Sequence, residues 1–148
     1  MPGDIIEREI VIHASIEHVW SLVSKTGFWI GDGLRFDIGA REGETITIGA
    51  APYGRFPVRV ERLDAPRYAA YRWASVFPAA ESAAGNSTLV EITLIEHDDG
   101  VLLRLTESGF AALDAPVDFR AAMHIDNEIG WDGQLARLQH AADSVPAA

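Results

Sequence analysis

The sequence contains no cysteine and only one lysine, Lys25. The lack of cysteine excludes disulfide bonds, thiolate nucleophiles and zinc sites with cysteine ligands. Long apolar runs are missing as well, because no stretch approaches the roughly 20 residues that a helix needs to span a bilayer. The opening residues, Met1 to Asp4, are unlike a signal peptide. We therefore expect a cytoplasmic protein that does not cross a membrane.

Basic side chains are scarce too. The chain has 12 Lys and Arg residues against 22 Asp and Glu residues, which gives a formal net charge of −10. The basic residues are scattered singly between Arg8 and Arg137, whereas nucleic-acid and anionic-membrane binding need concentrated positive charge. Neither nucleic acid nor a membrane surface is expected as a partner.

The residues that are present suit one globular domain. The 148 residues are 48% hydrophobic and 23% charged, as in ordinary folded proteins. A chain of this length buries roughly two-thirds of its unfolded surface. No internal repeat and no long linker interrupts it, so we predict a single domain over residues 1–148.

Alternation of apolar and polar residues predicts a sheet of about six strands. The predicted strands are 5–13, 45–49, 55–63, 68–77, 88–97 and 101–108. Ser15 is a good N-cap for a short helix over about 16–24, and 26–33 predicts a brief second helix or turn. Asp98-Asp99-Gly100 predicts a hairpin turn in which the glycine supplies the positive φ. Short connections make the sheet antiparallel.

A long C-terminal helix is predicted over about 118–143. Trp131, Leu135, Leu138 and Ala142 stand at i, i+4, i+7 and i+11, which makes one apolar stripe. That stripe must pack against the sheet. Strand parity predicts which strand residues face it: Phe56, Val58, Val60, Tyr71, Trp73, Ser75, Val90, Ile92, Leu94, Val101, Leu103, Leu105 and Glu107.

This order of elements resembles the helix-grip fold of START and Bet v 1-like domains. In detail the chain is similar to the family named after the C-terminal domain of the activator of Hsp90 ATPase. The similar segments are 10–20, 60–66, 71–73, 88–94 and 103–110, with the closing pattern Gly130-Trp131-x-x-x-Leu135-x-x-Leu138. The resemblance implies an α+β fold: a curved antiparallel sheet, two short helices, and a long C-terminal helix across a cavity. It implies no single reaction, and the chain has no room for the separate chaperone-binding domain of the family's co-chaperones.

Several kinds of catalytic site are not indicated. The five histidines form neither His-x-x-x-His nor His-Glu-x-x-His, so no metal site is expected. No Gly-x-Ser-x-Gly nucleophile elbow and no P-loop or Gly-x-Gly-x-x-Gly pattern occurs. No cofactor is predicted.

The more informative residues are polar ones at positions that should be apolar. The Trp131 stripe, extended toward the N-terminus, reaches Asn127 and His124, with Glu128 beside them. Glu107 and Arg8 lie on the inward parity of the last and first strands. Buried charges cost several kcal/mol unless they are paired or solvated. These residues therefore indicate either a hydrated cavity or a structural ion pair.

The phase of the long helix leaves two alternatives open. Ile125 and Ile129 lie opposite the Trp131 stripe if the helix is straight. Gly130 and Gly133 weaken a helix interior by about 1 kcal/mol each, so the helix could bend there. Either the helix changes phase at Gly130, or the two isoleucines contact a partner subunit.

Three functions remain as hypotheses. The first is a protein that binds a small apolar or amphipathic ligand between sheet and helix. Its predicted ligand-binding residues are Arg8, Tyr71, Trp73, Leu103, Leu105, Glu107, His124, Asn127 and Trp131. The second is a cyclase or hydrolase that uses His124 with Glu107 or Glu128 as general acid and base. The third is a co-chaperone-like or regulatory interaction module, with a protein partner or a homodimer contact around Ile125 and Ile129.

Overall fold

The computed structural model describes residues 4–30, 41–50, 54–74 and 85–143. Within these residues the chain forms six strands, two α-helices and a short 3-10 helix. In chain order they are β1 (Ile5–Ile12), α1 (Ile16–Val23), β2 (Thr45–Ala50), β3 (Gly54–Asp64), β4 (Tyr68–Trp73), β5 (Thr88–His97), β6 (Gly100–Ser108), the 3-10 helix (Phe110–Ala112) and α2 (Val117–Asp143).

All six strands belong to one antiparallel sheet with the order β1-β6-β5-β4-β3-β2. Strands β2 to β6 lie beside their neighbours in sequence, as short connections require. Strand β1 pairs with β6 and forms the other edge of the sheet. The helices pack on one face, and this arrangement confirms the predicted α+β helix-grip fold.

The inner face of the sheet is apolar because alternate residues of each strand point to the helices. Tyr71, Val90 and Leu105 are fully buried there. Their outward neighbours, such as Glu91 and Arg104, are half-buried or exposed. Ser75, which was predicted to share this face, lies outside the described residues.

Helix α1 begins as predicted. The Ser15 hydroxyl caps it by accepting a hydrogen bond from the His18 amide at 3.1 Å. Beyond α1 the chain forms turns as far as Ile30, whose amide donates to the Gly27 carbonyl at 2.9 Å. Residues 31–33, the rest of the predicted second helix or turn, lie outside the described residues.

The hairpin between β5 and β6 forms where it was predicted, but its positive φ was assigned to the wrong residue. Asp98 takes it, with φ +46°. Aspartate tolerates this conformation better than most residues. Gly100 has a different reason to be glycine, since a Cβ atom there would lie 2.3 Å from the carbonyl oxygen of Ile12. Close approach of β1, and not backbone handedness, requires glycine at this position.

Helix α2 runs without interruption through Gly130 and Gly133. Trp131, Leu135, Leu138 and Ala142 are buried against the sheet, as predicted. The predicted alternative of a phase change at Gly130 is wrong: the same face of one regular helix carries polar residues before Trp131 and apolar ones after it. Ile125 and Ile129 are consequently left 56% and 68% exposed.

Candidate ligand-binding site

Glu107 is the centre of the candidate site. It is the second-last residue of β6, it faces the helices as strand parity predicts, and its exposed fraction is 0%. It lies opposite Ile6 on β1 and Val90 on β5. A carboxyl group in such a position requires hydrogen-bond donors, because an unpaired buried charge costs several kcal/mol.

Four side chains supply these donors. The indole N–H of Trp131 donates to Oε1 at 2.8 Å, and the indole N–H of Trp73 donates to Oε2 at 3.0 Å. The Thr88 hydroxyl donates to Oε2 at 2.5 Å. The Asn127 amide lies 3.1 Å from Oε1 and 3.2 Å from Oε2. The accepting capacity of the carboxylate, about four lone pairs, is thus used within the protein.

Two opposing effects act on the pKa of Glu107. Burial raises the pKa, because the charged form loses its hydration, and this is the larger effect. The hydrogen bonds from Thr88, Trp131, Trp73 and Asn127 favour the charged form and offset part of the rise. The four donors are all neutral, so no cation balances the carboxylate within this set.

Aromatic rings pack beside the carboxyl group. Trp29 lies at their centre, and its ring centroid is 5.5 Å from Tyr71, 5.4 Å from Trp73 and 5.5 Å from Trp131. Phe28 contacts Trp29 edge-on at 5.2 Å. We call these five residues the ring cluster. Each such ring contact adds about 0.5–1.5 kcal/mol beyond the burial of apolar area, so the ring cluster stabilises the packing between helices and sheet.

The three tryptophans of the ring cluster differ in their hydrogen bonding. The indole N–H groups of Trp73 and Trp131 donate hydrogen bonds to Glu107. The Nε1 atom of Trp29, in contrast, is buried without a partner among the described residues. His18 Nε2, Thr26 Oγ1 and Arg120 Nε share this condition. Only Trp29 among these four belongs to the ring cluster, where an acceptor from a bound molecule would complete its hydrogen bonding.

A second polar group joins the N-terminal half of α2 to β1. Arg8 contacts Glu128 at 3.1 Å and Asp132 at 2.8 Å. These two carboxylates raise the pKa of the Arg8 guanidinium, chiefly through their hydrogen bonds to it. His124 contacts Glu128 through Nδ1 and the Ile5 carbonyl through Nε2, both at 3.0 Å. Both nitrogens of the imidazole therefore face protein oxygens, and its ring packs on Phe110.

The structure thus divides the predicted site residues into three sets. Asn127, Trp73 and Trp131 gather around Glu107, while Arg8 and His124 form the separate contact with Glu128. The remaining three, Tyr71, Leu103 and Leu105, are fully buried core residues. Burial raises the pKa of the Tyr71 phenol, which donates a hydrogen bond to the Val23 carbonyl at 2.7 Å. Contacts at both His124 nitrogens leave neither of them directed at a substrate in this arrangement.

Sequence reasoning did not single out Thr88 and Trp29. Thr88 could have been found, since it begins β5 on the inward parity together with Val90. Trp29 is one of several aromatic residues near the short helix, and no pattern in the chain distinguishes it. Whether its N–H meets an acceptor among the described residues depends on how β4 and α2 pack around it.

A concavity lies along strands β1 and β6 at one edge of the sheet. Its volume is about 510 Å³, and it is lined by Glu7, Arg8, Glu9, Arg104, Leu105 and Thr106. Arg104 already forms an ion pair with Glu9 there. An open, charged depression of this kind does not suit an apolar ligand, so we place the candidate site at Glu107 and the ring cluster.

The described part of the chain contains no group of three or more His, Asp or Glu side chains arranged to hold a metal ion. No helix within these residues has the length and hydropathy needed to cross a bilayer.

Comparison with known proteins gives a family and a set of fold relatives. The family model described as "Activator of Hsp90 ATPase homolog 1-like protein" matches residues 13–143. A search of curated proteins finds no significant match.

Solved structures with a similar fold cover nearly the whole chain. Protein MLL2253 from Mesorhizobium loti has a TM-score of 0.74 at 19% identity, over 96% of this chain and 98% of its own. Protein BH1534 from Bacillus halodurans has a TM-score of 0.67 at 23% identity, over 93% and 96%. The Aha1 dimer from Colwellia psychrerythraea has a TM-score of 0.66 at 19% identity, over 94% and 96%. At these identities the likeness concerns the fold alone.

Proposed function

The chain belongs to the activator of Hsp90 ATPase homolog 1-like family, and we propose that it binds a small, largely apolar molecule that carries a hydrogen-bond acceptor. The fold is one that commonly binds ligands. The proposed site lies between the sheet and the N-terminal half of α2, against the ring cluster. The observation that carries the proposal is the buried indole N–H of Trp29, which has no hydrogen-bond partner among the described residues.

The energetic argument starts from that N–H group. A buried donor without an acceptor costs about 1–3 kcal/mol, so a group that accepts from it is stabilised there. The surrounding rings of Phe28, Tyr71, Trp73 and Trp131 provide apolar contacts for the rest of the molecule. An apolar wall with one or two placed polar groups is the usual composition of a ligand site.

Glu107 has an indirect role in this proposal. Its oxygens accept from the indoles of Trp73 and Trp131 and thereby hold two walls of the site in place. They also use up those two N–H groups, which leaves the N–H of Trp29 as the indole donor available to a ligand. Glu107 is therefore a positioning residue and not a direct ligand contact.

Access is proposed beside the N-terminal half of α2. There the helix is held to the sheet by hydrogen bonds and ion pairs from Glu107, Arg8 and His124. Polar contacts of this kind can be exchanged for water or for a ligand at small net cost. The apolar contacts that follow Trp131 keep the helix attached while its first half moves.

The test uses prodan, a neutral naphthalene dye with a single ketone acceptor. We expect saturable binding, seen as a blue shift of its emission, with native mass spectrometry giving one dye per chain. Trp29→Phe keeps an aromatic ring but removes the N–H, and should weaken binding about tenfold, the loss of one hydrogen bond.

The matched control is Trp20→Phe. Trp20 packs on the core from α1, and its replacement should leave the dissociation constant unchanged. Indole N–H spectra of the wild-type protein give a readout independent of any variant: the Trp29 signal should shift most when the dye is added. Absence of saturable binding, or equal affinity of the Trp29→Phe variant, would overturn the proposal.

A further inference from the structure

The solvent-facing side of α2 carries an apolar stripe that no part of the described chain covers. It consists of Ala122, Ile125, Ile129, Gly133 and Ala136, all exposed. Their spacing of i, i+3, i+7, i+11 and i+14 places them on one line along the helix. Helix α2 is thus apolar on two opposite sides, and only one of them packs on the sheet.

The stripe has large residues at one end and small residues at the other. Ile125 and Ile129 are 56% and 68% exposed. Gly133 lacks a side chain, and a Cβ atom placed on it would meet nothing within 4 Å. A second helix running in the opposite direction would bring its own isoleucines to the small end. Small residues opposite large ones let two helices approach more closely, because the distance between helix axes depends on the side chains at the contact.

The charges beside the stripe agree with that direction. Asp126 lies beside Ile125 and Ile129 at the large end of the stripe. Arg137 follows Ala136 by one residue and Gly133 by four, so it lies at the small end, on the same flank of the helix as Asp126. Two antiparallel copies place each Asp126 beside Arg137 of the partner subunit. Two parallel copies would leave Asp126 and Arg137 of the partner subunit eleven residues apart along the helix axes, so this ion pair could not form. The antiparallel arrangement also opposes the two helix dipoles.

We propose that this stripe is the contact between two copies of the chain, with the α2 helices antiparallel and a two-fold axis near position 131. In this register Ile129 lies against Gly133 of the partner subunit, and Ile125 lies against Ala136 of the partner subunit. Two Asp126–Arg137 ion pairs fix the register. One helix pair buries little area compared with a standard interface, so the dimer is concentration-dependent.

The first experiment is sedimentation equilibrium of the full chain from about 1 µM to about 500 µM in about 0.15 M salt, which screens the repulsion between two chains of net charge −10. The wild-type protein should pass from monomer to dimer. Ile129→Asp should remain monomeric throughout the range. The matched control is Val117→Asp, because Val117 lies on the same helix outside the stripe and is 67% exposed.

Two further variants test the direction of the helices. Asp126→Arg should weaken the dimer, and adding Arg137→Asp in the same chain should restore it. Because the protein has no cysteine, single cysteines report distances directly. A mixture of the Ile129→Cys and Gly133→Cys variants should oxidise to a mixed disulfide faster than Ile129→Cys alone cross-links to itself.

The outcomes separate clearly. A wild-type protein that stays monomeric at the highest concentration overturns the proposal and leaves the stripe to a different protein partner. A dimer that survives Ile129→Asp places the contact elsewhere. Preferential Ile129→Cys self-cross-linking overturns the antiparallel register. Each of these results is independent of prodan binding at Trp29, so failure of this inference and failure of the proposed function are distinguishable.

Discussion

The two halves of α2 lie on the same sheet and are held to it by different interactions. After Gly130 the buried residues are Trp131, Leu135, Leu138 and Ala142. Before Gly130 the residues that face the sheet are His124 and Asn127, which form hydrogen bonds to the Ile5 carbonyl and to Glu107. The second half is bound mainly by apolar area, with hydrogen bonds from Trp131 to Glu107 and from Gln139 to the Val11 carbonyl besides. The first half is bound by directional polar contacts.

This difference indicates that the two halves of α2 contribute differently to its attachment to the sheet. Apolar burial stabilises in proportion to area and without directional requirements. Hydrogen bonds contribute less net free energy, because water competes for both partners. The C-terminal half therefore anchors the helix, and the N-terminal half can separate from the sheet while the anchor remains.

The largest expected effect comes from removing the anchor. Leu138→Ala deletes a fully buried side chain and should lower the free energy of unfolding by about 2–5 kcal/mol, measured by urea denaturation. Ala136→Ser, an exposed change on the same half of the helix, should cost little at about 1 µM, where the chain is expected to be monomeric. A loss below about 1 kcal/mol for Leu138→Ala would contradict the anchoring role.

A smaller loss is expected when the polar contact is altered at its centre. Glu107→Gln keeps the size of the side chain but directs an NH2 group toward the indole N–H of Trp73 or Trp131. Two donors then face each other, and we expect a loss of about 1–3 kcal/mol in the same measurement. Glu96→Gln is the control, because Glu96 forms an exposed ion pair with Arg67. An equal loss in both variants would argue against a special role for Glu107.

The pH dependence of stability should separate Glu107 from the other carboxylates. Burial raises its pKa in the folded protein above the ordinary value of 4.5, so the folded state binds this proton more tightly than the unfolded state does. The contribution of this proton to the free energy of unfolding is therefore complete below pH 4.5, and it is lost as the pH rises through the pKa of Glu107 in the folded protein. Denaturation of wild type and Glu107→Gln across about pH 5 to 8 measures it. The free energy of unfolding of the wild type minus that of the variant should fall with rising pH. A rise would refute the assignment of a raised pKa to Glu107.

The smallest expected effect concerns the ion pairs at the edge of the site. Arg8 is partly exposed, as are Glu128 and Asp132, so Arg8→Gln should cost no more than about 1 kcal/mol of global stability. Local opening should increase instead. Hydrogen exchange should quicken in residues 118–128 and stay unchanged in residues 131–142. Arg104→Gln, which removes an ion pair on the other face of the sheet, should change neither segment, and a uniform increase along α2 would show that the halves do not open separately.

The fold could be read from the sequence because its signals are local and periodic. Strand β5 was predicted to its observed bounds, 88–97, because its apolar residues alternate and its turn follows directly. The N-cap at Ser15 depends on one hydroxyl and the helix after it. The role predicted for Gly100 in the hairpin was wrong because that role is not local. Gly100 is glycine because β1 approaches it, a contact between residues almost ninety positions apart that no local pattern reports.

The candidate site was only partly accessible in this way. Strand parity turned Glu107 inward, and the helical period brought His124, Asn127 and Trp131 to one face, so the sequence by itself determined which polar groups face the core. The tertiary structure decided which of them meet. Donors from β4, β5 and α2 converge on one carboxylate, whereas Arg8 and His124 contact Glu128 instead. The N–H of Trp29 has no partner in the part of the chain that the structure describes. Periodicity specifies the direction of a side chain relative to its own backbone, whereas its partners depend on register and packing between elements distant in sequence.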